Sequence, residues 1–178
     1  MDPRETPRPQ DPTALLRERA ARYASRRRSS KTLPARRGEP VLVVSVGRER
    51  LAIPARDVIA VVRPVDTLAL SLAPAHVPFA FPFRGEALLA VSLSALAGQG
   101  SVTPTAEQRL VVVRWGQGRV GLHVEKASRV VAVDVASAVP LGESSWLPAQ
   151  AVAGVLEDGV VLVNLEGLAR ELSPGEEG

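Results

Sequence analysis

Leu42-Val43-Val44-Ser45-Val46-Gly47, then Leu51-Ala52-Ile53, Val58 and Val61-Val62, is written a second time as Val111-Val112-Val113-Arg114-Trp115-Gly116, Val120-Gly121-Leu122, Ala127 and Val130-Val131. Each phrase reads as a strand, a glycine turn, a second strand and a third. Gly47 and Gly116 fall at the same turn, and Ile53 and Leu122 each follow six residues later. The halves also close alike. Leu88 to Val91 precedes Ser92-Leu93-Ser94-Ala95-Leu96, and Val160 to Val163 precedes Asn164-Leu165-Glu166-Gly167-Leu168. Two copies of one small β unit, neither with a catalytic motif, point to a binding scaffold rather than an enzyme.

Working outward, strands are expected near 41–47, 50–55, 57–63 and 86–91 in the first copy. In the second they are expected near 109–115, 118–124, 127–135, 150–157 and 159–163, the last two joined by the tight Glu157-Asp158-Gly159 turn. Residues 64–83 hold four prolines and read as a crossing loop with one turn of helix near 74–78. Residues 92–97 read as a turn or short helix, 98–107 as an exposed connector, and 164–172 as a helix capped by Asn164. Strands this short and this apolar are best closed into small barrels, which removes the open edges. The expected fold is therefore mainly β, with two five-stranded barrels side by side, one over about 41–97 and one over about 108–172.

The chain has 178 residues, 46% of them hydrophobic and only 3% aromatic, so its core must rest on branched aliphatics. It has no cysteine, hence no disulfide and no thiolate chemistry, which suits a reducing cytoplasm. No run of eighteen apolar residues is present. Met1-Asp2-Pro3-Arg4 opens without an apolar stretch, so no secretory signal is expected. The net charge of +3 is unevenly spread. Residues 1–38 carry eleven Lys/Arg against four Asp/Glu, whereas residues 39–178 carry eleven against fifteen. The tail is basic and the folded part mildly acidic. Within the tail, Asp11, Pro12 and an apolar face of Leu16, Ala20, Tyr23 and Ala24 predict a separate helix over about 12–27.

The usual chemical constellations are missing. His76 and His123 stand apart, with no cysteine to complete a metal set, and His123 reads as a half-exposed strand residue. Gly98-Gln99-Gly100-Ser101 is a linker, not a phosphate loop, and no nucleophile elbow or zinc helix occurs. No cofactor or metal is expected. A single-strand binding barrel would need stacking aromatics in a basic groove, but this chain has six aromatics in all and an acidic folded part.

This grammar resembles CheW-like domains, the adaptors that couple chemoreceptors to the histidine kinase CheA. The resemblance spans roughly 40–172 and rests on Gly47, Ile53-Pro54, Val58 with Val61, Arg84-Gly85, Gly116, Val120 to Val124, Gly154-Val155 and Asp158 to Leu165. Several positions of the first half depart from the family pattern: Ala60 for Glu, Phe79 for Gly, Pro82 for Asn, Leu89 for Pro and Ser92 for Asp. The resemblance implies an SH3-like pair of barrels over 39–174 with a short C-terminal helix. It also implies a non-enzymatic adaptor for a methyl-accepting chemoreceptor tip, the regulatory domain of a CheA-type kinase, and other CheW-like domains. Such an adaptor would be cytoplasmic, at membrane-associated or nucleoid-associated arrays.

The candidate partner residues are Val58, Val61, Phe79, Phe81, Arg84, Gly85 and Leu88. Arg84 reads either as a bidentate anchor for a partner carboxylate or as an internal salt bridge. Phe79, Phe81 and Phe83 alternate and either plug a barrel end or form an exposed patch. The alternative function is a nucleic-acid or membrane-surface tether acting through the basic tail. Binding of that kind should vanish on deleting residues 1–38 and weaken steeply with salt, whereas apolar adaptor contacts should survive both.

Overall fold

The computed structural model describes residues 38–100, 103–140 and 146–172. The expected tail helix over 12–27 lies outside them. In chain order the strands are β1 (Glu39–Val46), β2 (Glu49–Pro54), β3 (Val58–Val62), β4 (Leu68–Ala69), β5 (Phe79–Phe83) and β6 (Glu86–Ser92). They continue with β7 (Arg109–Trp115), β8 (Gly118–Val124), β9 (Lys126–Val133), β10 (Val152–Val155) and β11 (Val161–Val163). Two helices, α1 (Leu93–Leu96) and α2 (Leu165–Leu172), close the two halves.

The repeat is visible in the backbone. Gly47 and Gly116 hold φ of +58° and +55° at the first position of two-residue hairpin turns, where glycine carries no steric penalty. Ser92 and Asn164 cap α1 and α2 in the same way, accepting the N–H of Ala95 and of Gly167, each at 3.2 Å. The Glu157-Asp158-Gly159 turn forms as read, with Leu156 N–H bonded to Val160 C=O at 2.9 Å.

The halves do not, however, fold side by side. One sheet runs β10-β11-β2-β1-β9 and the other β3-β7-β8-β6-β5-β4. Each sheet takes the first hairpin of one copy and the later strands of the other, so the segments 41–97 and 108–172 interlock. The parallel pairs β2 with β11 and β6 with β8 are equivalent under the repeat. The sheets are also mixed and open rather than closed barrels. β10 and β9 end one, and β3 and β4 end the other. Bulges between Leu42 and Val44, Val58 and Ala60, and Val152 and Gly154 curl the sheets without joining their edges.

The continuous apolar runs follow from this arrangement, because the inner strands are buried on both faces. Along β7, Val111 and Val113 face a core shared by the two sheets, while Leu110 and Val112 face the inside of their own sheet. Along β1 and β2, Leu42, Val44, Leu51 and Ile53 face the shared core, and Val41 and Ala52 face the inside of the other sheet. Trp146 packs against the shared core.

Part of the expected crossing loop is strand. Phe79–Phe83 pairs with β6 over five residues, because alternating phenylalanines give the period of a one-side-buried strand. Pro82 is tolerated because β4 reaches only to Ala80, leaving that edge of β5 without a ladder. The three rings fill the inside of the sheet, and the Phe81 ring occupies the space opposite Gly121. A Cβ at Gly121 would come within 2.5 Å of it. Gly121→Ala is therefore expected to destabilise the fold by about 1–3 kcal/mol in urea unfolding, and Phe81→Leu in the same chain should recover part of the loss.

Candidate functional site

Small elements place the candidate residues. The β5–β6 hairpin turns through Arg84 and Gly85 at φ of +52° and +84°, both left-handed, as a type I′ turn requires. Gly85 suits that conformation, but an arginine in it is strained. The Arg84 guanidinium sits 5.1 Å from the centroid of the Phe83 ring and is exposed. Among the described residues it makes no ion pair, so the internal salt bridge that the sequence allowed is not what holds this loop. The hairpin is held instead by Glu86, which accepts from Arg119 at 2.6 Å, and by its ladder.

The other candidates divide. Val61 on β3 is 42% exposed, and Val58 is half-buried against the shared core. Leu88 is mostly buried but lines a groove, whereas Phe79 and Phe81 are buried inside their sheet and cannot meet a partner directly. This is the plugging alternative for the phenylalanines. Alternation explains it: with Phe79, Phe81 and Phe83 inside, Ala80 and Pro82 take the outer face. Register then aligns exposed Leu68, half-buried Ala80 and exposed Leu89 in one row across β4, β5 and β6. That row went unread in the sequence, because Leu68 lies some twenty residues from Leu89 and only the β4–β5–β6 ladder brings them together.

Two grooves adjoin this region. The smaller, about 540 Å³, is lined by Ile59, Glu86, Leu88, Arg114, Arg119 and the β7–β8 turn. It lies between β3 and the hairpin, and of the candidate residues only Leu88 lines it, beside Ile59. The larger, about 1120 Å³, lies between the β7–β8 turn, the end of β2 and α2. Its cations are held: Arg56 pairs with Glu39 and Asp57, Arg114 donates to the Arg56 C=O at 2.6 Å, and Arg170 lies 3.8 Å from Glu166.

His123 is buried rather than half-exposed, because β8 is covered on both faces. Its ring meets Phe79 edge-on at 5.2 Å, and its Nε2 lies 3.0 Å from Gln108 Oε1. That oxygen also accepts Thr105 N–H at 2.8 Å, so Nε2 carries a hydrogen and donates it. Burial lowers its pKa from 6.5 to about 4. No group of three metal-capable side chains occurs among the described residues. The arrangement provides surfaces and anchors rather than reacting groups.

Comparison with known proteins gives the same architecture. The family model described as CheW-like domain matches residues 40–173. The fold is similar to a crystal structure of the scaffolding protein TtCheW from Thermoanaerobacter tengcongensis, with a TM-score of 0.65 and 21% identity over 74% of this chain and 87% of that one. No curated protein matches the chain.

Two outcomes follow from the geometry. Arg84→Asn should stabilise the fold by roughly 1 kcal/mol in urea unfolding, since asparagine accepts the left-handed conformation. His123 carries the pH response. The unfolded chain takes up a proton below pH 6.5, while the folded one stays neutral down to about 4. Stability is thus unaffected by this group above 6.5 and falls as the pH drops through that window. Unfolding at pH 5 should require about 2 kcal/mol less than at pH 7, and His123→Gln should remove that difference.

Proposed function

The chain belongs to the CheW-like domain family, and on that premise we propose that it is an adaptor coupling chemoreceptor signalling tips to a CheA-type histidine kinase. CheW-like scaffolding proteins are not enzymes, and this chain acts by contact alone. Among the described residues no helix is long and apolar enough to cross a membrane. The adaptor works in the cytoplasm, at arrays held by the receptors, beside other CheW-like domains.

The observation that supports this reading is the state of Arg84. Arg84 is a strained, exposed arginine without an ion pair among the described residues, at the tip of a hairpin held by its ladder, and its stack on the Phe83 ring uses none of its N–H donors. Strain kept at an exposed position is characteristic of a binding residue. Arg84 offers a planar pair of donors to a partner carboxylate. Val61 and the Leu68–Ala80–Leu89 row provide exposed apolar area, where packing against a partner excludes water. Phe79, Phe81 and Leu88 serve from behind, by holding the sheet that carries that area.

The departures of the first half bear on which partner is kept. Half-buried Ala60 and exposed Leu89 replace a glutamate and a proline of the family pattern, so the surface is altered while the hairpin is retained. We read the chain as a divergent adaptor whose two contacts, to receptor and to kinase, have been changed unequally. Calorimetric titration of the full chain with a receptor signalling tip and, separately, with the CheA regulatory domain tests this. Binding to at least one is expected. Arg84→Glu with Val61→Asp should weaken that binding by about tenfold or more, the worth of one charge-assisted contact. Unchanged binding in the double variant, or binding to neither protein, would overturn the proposal.

A further inference from the structure

Register sets two arginines against each other. In the β7–β8 ladder Arg114 lies directly opposite Arg119, beside the turn through Gly116 and Gln117. Directly opposed residues carry their side chains on one face, and like charges placed in this way repel. Alternation decides which face it is. Val113 and Val120 meet the shared core and Val112 the inside of the sheet, so both arginines stand on the inside. Glu86 stands there too, two residues before buried Leu88 on the same strand. The groove of about 540 Å³ that these side chains line is therefore the mouth of the curled six-stranded sheet. Ile59 and Leu88 line it with apolar surface continuous with the phenylalanine cluster.

The charged side chains at this mouth are Glu86, Arg114 and Arg119, one carboxylate against two guanidinium groups. Glu86 accepts from Arg119 at 2.6 Å, on the side of β6. Arg114 leans the other way, towards β3, and donates through Nη1 to the Arg56 C=O at 2.6 Å. That bond fixes its position without neutralising it. No carboxylate pairs with Arg114 among the described residues, and its other N–H groups have no partner there. The mouth thus holds one uncompensated positive charge above an apolar lining. An anion seated between the two arginines would relieve their repulsion.

We propose that this mouth binds a small amphiphilic monocarboxylate, its carboxylate between Arg114 and Arg119 and its aliphatic body over Ile59 and Leu88. The planar guanidinium fork matches a carboxylate, and the free donors of Arg114 are already held in place. A single negative charge balances the mouth, whereas a phosphate dianion would exceed it and face Glu86. The volume is that of a small-molecule site, in the range of about 300–1,000 Å³. A glutamate side chain of a partner protein would reach the arginines at the rim and leave the apolar lining uncovered. The inference stands on the β7–β8 register and the charges around it, and is independent of the receptor and kinase assignment.

The test is an amide ¹H–¹⁵N NMR titration of the full chain with hexanoate, with hexanol, inorganic phosphate and a blocked peptide bearing one glutamate run in parallel. Saturable shifts at Ile59, Leu88, Gln117 and Gly118 are expected with hexanoate and not with hexanol. Arg114→Gln should weaken hexanoate binding about tenfold, the worth of one charge-assisted contact. Gln117→Glu changes an exposed turn residue and leaves the Arg114–Arg56 contact intact. By adding a negative charge to the rim it should weaken binding about threefold. Absence of saturable shifts, equal shifts with hexanol, or unchanged affinity in both variants overturns the proposal. Tighter binding of phosphate would assign the arginines to a dianion, and tighter binding of the peptide would make the occupant a side chain of a partner protein. Either result overturns it as well.

Discussion

The ladders that cross between the two halves of the chain, β1 with β9 and β3 with β7, are the constraint on which the other features depend. Neither half can complete a sheet alone. The first hairpin of each copy needs the later strands of the other, so both sheets form together or not at all. Interlocking also creates the shared core, because it buries the inner strands on both faces. Leu51, Ile53, Val111, Val113 and Leu122 meet there, all with negligible exposure. A core of branched aliphatics compensates for the scarcity of aromatics, since each fully buried side chain of this kind contributes about 1.5–3 kcal/mol.

Against that rigid centre, the exposed features have a consistent logic. The phenylalanines of β5 fill the inside of one sheet and force the outer face of the same strand to be small or apolar. The hairpin that follows is clamped by its ladder and by the Glu86–Arg119 pair, so the strain at Arg84 is not relieved by local unwinding. A scaffold that works by contact has no other place to spend stability. The two grooves flank the β7–β8 turn, and Arg114, which lines both, ties that turn to the end of β2 through the Arg56 carbonyl.

Much of this was legible along the chain, and the reason differs by element. The turns at Gly47, Gly116 and Gly159 were readable because left-handed backbone selects glycine locally. The cap at Asn164 was readable because a short polar side chain before an apolar run satisfies helix N–H groups within three residues. Strand β5 was missed because two of its own signals conflicted: the alternation of phenylalanines argued for a strand, and Pro82 argued against one. His123 was misplaced because a single polar residue in a strand says nothing about which layers cover it.

What the sequence determined by itself is the unit: two copies of a hairpin, a third strand, a closing strand and a capped helix, each written in residues that interact with near neighbours. Those choices are governed by backbone conformation and side-chain period, which act over a few positions. Only the tertiary structure decided how the copies combine. Exchange of hairpins, the open sheet edges and the burial of Phe79, Phe81 and Leu88 depend on contacts between residues far apart in the chain. Two side-by-side barrels and two interlocked sheets bury the same alternating faces, so the pattern of apolar residues cannot distinguish them. The distinction lies in which hydrogen-bonding edge each hairpin meets, and that is a property of the assembled fold.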